Sequence, residues 1–147
     1  MRRYRVRFMP WALALFVIIM LPNMFWFALP AESDALKQTA ELPWLDTVQM
    51  TFQVMMIGCL CMLENPQAKP FGLKNPMVAA ALICCGIYYA FWVAYFRGSM
   101  NAPVLLALCL FPSAAFLLYG ADRRNVPGTV AGAAFAICHL VATLVRL

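Results

Sequence analysis

Five stretches of this chain are long and apolar enough to cross a bilayer, and they constrain its fold more than any other feature. A helix crossing roughly 30 Å of hydrocarbon needs about 20 mostly apolar residues. Such runs occupy residues 11–29, 47–63, 77–96, 102–119 and 127–145. The third holds no charge, and the first is broken only by Pro22-Asn23. The second is short and carries Gln49 and Gln53; the fourth contains Pro112 and the fifth the sole histidine, His139. Of the 147 residues, 65% are apolar and 12% charged, and the mean hydropathy is +0.79. A soluble globule of this size has too little interior for so much hydrocarbon, and disorder requires the opposite composition. The expectation is an all-α polytopic membrane helix bundle, one integral membrane domain over residues 1–147 with the bilayer as its main partner.

Eleven basic against six acidic residues give a net charge of +5. The cations flank apolar runs, which is a membrane pattern and gives no reason to expect nucleic acid. With the N-terminus cytoplasmic, the inner flanks hold Arg2, Arg3, Arg5, Arg7, Lys69, Lys74, Arg123 and Arg124. The outer flanks hold only Lys37, Arg97 and Arg146, and the acids Glu32, Asp34, Glu41 and Asp46 share the longest outer loop. The positive-inside rule therefore predicts N-in and, with five spans, C-out, in a prokaryotic cytoplasmic membrane. Four arginines before an apolar run also resemble a secretory signal, but bulky Trp26, Phe27 and Leu29 stand where cleavage needs small residues. A retained signal anchor is expected. Residues 31–42 read as a short surface helix with Ser33 as N-cap, ended by Pro43.

Inside lipid, small residues set which helices approach closely. Gly86, Ala90 and Ala94 in the third span, and Gly128, Gly132 and Ala136 in the fifth, predict that these two spans form a close pair. Pro22 and Pro112 remove helical hydrogen bonds and predict kinks. Asn23 is placed to serve the carbonyls freed by Pro22.

The polar residues of the spans fall at similar depths. At 1.5 Å per residue, Asn23 and His139 lie about 18 Å above the inner edge of their spans, and Tyr88 and Tyr89 about 17 Å. Gln53 lies about 9 Å below the outer edge, and Asp46, Gln49 and Gln53 share one helix face. All fall in the outer half of the membrane. Polar groups at that depth need partners. One reading is interhelical bonding, with His139 capped by Gln53 or a backbone carbonyl. The other is a cavity open to the outside that binds a ligand, with His139, Gln53, Gln49, Asn23, Tyr88 and Trp92 as its candidate residues. Phe25, Trp26, Phe27, Trp44, Tyr88, Tyr89, Trp92, Tyr95 and Phe96 read mainly as an interfacial aromatic belt, with a cage of Tyr88 and Trp92 as the alternative.

Cys59, Cys61, Cys84, Cys85, Cys109 and Cys138 all lie in spans, with no CxxC. They read as small hydrophobes, although a metal between the second and third spans is conceivable. Met24 and Met50 raise copper as a minor thought; no cofactor or metal is expected. No acid sits at mid-membrane, which disfavours an ion-driven antiporter. No phosphate-cradling glycine loop, HExxH or GxSxG is present. Leu21-Pro22-Asn23 followed by aromatics, with a histidine in the final span, resembles uncharacterised small multi-span prokaryotic membrane proteins, a resemblance that implies no activity. The functional expectation is a non-enzymatic protein that binds or transports a small or lipid-like ligand through the outer-half cavity. The alternatives are an accessory subunit of a larger membrane complex, or an embedded enzyme using His139 as base; a homo-oligomer or a larger membrane complex is the expected assembly.

Overall fold

The computed structural model describes residues 4–29, Leu36 and 42–147. Among them are five helices: α1 Pro10–Ala28, α2 Pro43–Met62, α3 Pro76–Phe96, α4 Ala102–Asp122 and α5 Val126–Arg146. Each is long and apolar enough to span a membrane. The expected surface helix over 31–42, with Ser33 as its cap, lies outside the described residues apart from Leu36 and Leu42, as do Arg2, Arg3, Glu32, Asp34, Lys37 and Glu41.

Proline starts every helix, standing at the first or second position of each. There its missing N–H costs nothing and its fixed φ suits the helix. Pro43 thus opens α2 four residues before the expected start at residue 47, and places Asp46 in the first turn, where the helix dipole favours a carboxylate. Asparagine caps three of the helices: Asn75, Asn101 and Asn125 accept from the backbone N–H of Met77, Val104 and Gly128. The α3–α4 turn needs a left-handed residue, which Gly98 supplies at φ 93°.

The helices alternate in direction. The main packed pairs are α3 with α4, α4 with α5, and α2 with α5. Helix α4 is central, 61% of its most apolar window being buried against 22–28% in the others. The expected α3–α5 pair does not form, because α4 lies between them. Gly86 faces open space, with nothing within 4 Å of a Cβ built on it. Gly128 and Gly132 do sit at a close interface, but with α2. A Cβ at Gly128 would come within 2.7 Å of Leu60 Cδ2, and one at Gly132 within 3.1 Å of Met56 Sδ. Large apolar side chains cover the outside, among them Val54, Ile83, Val130 and Ile137. Such a surface is consistent with contact with lipid.

The N-terminal arm adds a feature that hydropathy does not show. Strand β1 (Arg5–Val6) pairs antiparallel with β2 (Leu63–Glu64), Arg5 opposite Glu64 and Val6 opposite Leu63. Arg7 N–H donates to the Met62 carbonyl at 2.9 Å, and Met9 N–H to that of Cys61 at 2.7 Å. Asn125 Nδ2 donates to the carbonyls of Cys59 and Leu63, both at 2.8 Å. A helix end leaves four carbonyls without intrahelical donors, and at α2 tertiary neighbours donate to those of Cys59, Cys61 and Met62. At the same end Arg124 holds φ 48°, and its carbonyl accepts from Asn65 Nδ2 at 2.9 Å and Tyr4 OH at 3.3 Å. Such a conformation persists where its surroundings over-determine it.

Candidate functional site

Pro22 lacks the N–H that would bond the Ile18 carbonyl. Helix α3 makes up the loss: Tyr89 OH donates to that carbonyl at 2.6 Å. Its neighbour Tyr88 donates to the Ile19 carbonyl at 3.2 Å. Asn23 Nδ2 donates to the same carbonyl at 3.3 Å and to Tyr88 OH at 3.1 Å. Asn23 therefore acts one carbonyl away from the one it was expected to serve. These bonds fasten the middle of α1 to α3.

A cavity of about 290 Å³ lies beside this junction, with a wall from each helix. All six candidate residues line it: Asn23 from α1, Gln49 and Gln53 from α2, Tyr88 and Trp92 from α3, and His139 from α5. From α4 come Leu108, Cys109 and Pro112, among others. Pro112 denies the Leu108 carbonyl its helical donor. The rest of the lining is largely apolar, including Ile19, Phe116 and Phe135.

His139 is not capped in the way that interhelical bonding would require. Its ring stacks on Phe135, with centroids 5.2 Å apart and 14° between planes. Its Nδ1 is buried with no hydrogen-bond partner, and so is Gln49 Oε1. A buried polar group left unpaired costs about 1–3 kcal/mol. Three such groups line the same cavity, the third being Trp92 Nε1. The shared face of Asp46, Gln49 and Gln53 divides by depth, the glutamines lining the cavity and Asp46 standing one turn nearer the helix end.

Two polar lining residues, Thr143 and Arg146, stand outside the candidate set, although Thr143 shares the helix face of His139 in the sequence. Thr143 lies one turn beyond His139 and bonds that residue's carbonyl at 2.8 Å. Arg146 closes the end of the cavity, its Nη2 bonding both carboxylate oxygens of Asp46 at 3.0 Å. Their spacing from His139, four and seven residues, was the available signal: it places all three on one helix face.

The aromatic belt is only partly present. Phe25, Phe27, Trp44 and Phe96 are exposed, but Tyr88, Trp92 and Tyr95 are buried. Trp92 meets Tyr88 and Tyr95 edge-to-face, with centroids 6.2 and 5.4 Å apart. They pack α3 against the core instead of meeting the interface, because their face of α3 turns inward. Met24 and Met50 point outward, 64% and 66% exposed, away from the cavity and from any shared copper site. The six cysteines are unpaired. Among the described residues no group of three or more His, Cys, Asp or Glu comes together to hold a metal. No protein-family model matches the chain, and no curated protein and no solved structure shows significant similarity to it.

Proposed function

We propose that this chain is a multi-pass protein of a prokaryotic cytoplasmic membrane, N-terminus inside and C-terminus outside, that binds or carries a small or lipid-like ligand in the outer half of the bilayer. The reading is non-enzymatic. The observation that carries it is the set of three unsatisfied atoms, His139 Nδ1, Gln49 Oε1 and Trp92 Nε1, on the wall of one cavity. Few convergent polar groups on an apolar wall are typical of ligand sites, whose volumes run from about 300 to 1,000 Å³. A cavity of about 290 Å³ suits a small molecule or one arm of a larger one. Gln49 Oε1 accepts only, so the ligand brings an N–H or O–H to it. His139 Nδ1 donates or accepts according to tautomer.

The test is untargeted mass spectrometry of material retained by the purified protein. Wild-type protein should carry a bound species that His139→Ala and Gln49→Leu lose, while both variants keep the wild-type elution volume. Equal retention in all three proteins, or no bound species in wild type, counts against the proposal.

A further inference from the structure

A second hollow, of about 390 Å³, opens at the opposite end of the bundle between the N-terminal arm, the end of α2 and the segment 65–71. Three cations line it, Arg7, Lys69 and Arg123, with one carboxylate, Glu64. Arg123 is held rigidly. Its Nε and Nη2 both donate to Asp122 Oδ2, at 2.8 and 2.5 Å, and its guanidinium lies 5.6 Å from the Phe71 ring centroid. Its Nη1 makes no hydrogen bond among the described residues, and its side chain is only 7% exposed.

Arg7 is the opposite case. Its side chain is 71% exposed and meets Glu64 at 3.3 and 3.5 Å, a loose pair that another anion can replace. Lys69 is exposed, between Pro66 and Pro70. With Asp122 behind Arg123, three positive charges face two negative ones. The surplus is one positive charge, the complement of a phosphodiester. The hollow also has an apolar side. Trp11 stacks on Phe71 at 4.6 Å, while Trp11 and Phe8 remain half-exposed beside the start of α1. Tryptophan at the end of a span is suited to the headgroup level.

We propose that this hollow binds the phosphodiester headgroup of an anionic phospholipid, the phosphate among Arg7, Lys69 and Arg123 and the acyl chains along Trp11 and Phe8. A free phosphate would use the same cations but not the apolar side. A zwitterionic lipid adds a fourth cation to the three already there.

Native mass spectrometry of the full chain in detergent, titrated with phosphatidylglycerol, phosphatidylcholine or inorganic phosphate, tests the assignment. Phosphatidylglycerol should be retained in preference to phosphatidylcholine. Arg7→Gln and Lys69→Gln, both at exposed side chains, should each weaken that binding roughly fivefold, and Glu64→Gln should strengthen it. His139→Ala should leave it unchanged, which separates this hollow from the outer cavity. Equal retention of the two lipids, no effect of the three charge variants, loss in His139→Ala, or occupancy by inorganic phosphate in place of lipid would each overturn the proposal.

Discussion

Tyr89 shows how a single hydroxyl can meet a carbonyl that a proline has freed. Pro22 frees the Ile18 carbonyl, and in hydrocarbon an unmet carbonyl is costly. The Tyr89 hydroxyl meets it at 2.6 Å. Tyr89→Phe should therefore lower stability by about 1 kcal/mol, within the range of hydrogen bonds between membrane helices. Pro22→Ala restores an N–H to the same carbonyl, so the cost of Tyr89→Phe should fall toward zero in that background. Reversible unfolding of the four proteins in mixed micelles measures the coupling. Equal costs in both backgrounds would show that the hydroxyl does not serve the proline. The same logic was half legible beforehand: the proline announced a freed carbonyl, but nothing along the chain says which neighbouring helix will donate to it.

At the scale of elements, a repeated sequence pattern marks three helix starts. Asn75-Pro76, Asn101-Ala102-Pro103 and Asn125-Val126-Pro127 each combine a side-chain cap with a proline in the first turn, and each begins a helix. Helix pairing was less accessible. Both small-residue ridges carry the same spacing, yet Gly86 faces open space while Gly128 and Gly132 meet α2. Gly128→Ala should cost about 1–3 kcal/mol by forcing Leu60 and Asn125 aside, as overpacking does elsewhere. Gly86→Ala should cause no loss, since nothing lies within 4 Å. Thermal unfolding of the two variants distinguishes this packing from an α3–α5 pair, in which both would be damaged.

For the molecule as a whole, alternation of five helices places two chemically different ends apart. One joins Asn65, Asn125, Arg123 and the N-terminal arm; the other is closed by Arg146 and Asp46. The proposed orientation puts the first end in the cytoplasm. Alkaline phosphatase fused after Ser99 should then be active in cells, and the same fusion after Pro66 inactive. The reverse pattern would invert the topology and place the cavity in the inner leaflet.

Hydropathy and length alone determined five apolar helices and their approximate bounds, because these follow from a fixed rise per residue and the thickness of the apolar layer. The tertiary structure decided which helices touch, which aromatics turn inward, and that Arg146 reaches Asp46 across the cavity end. Those outcomes depend on the rotation of each helix about its axis. In lipid, apolar residues are satisfied on either face, so the hydrophobic pattern leaves that rotation open until side chains from distant parts of the chain meet.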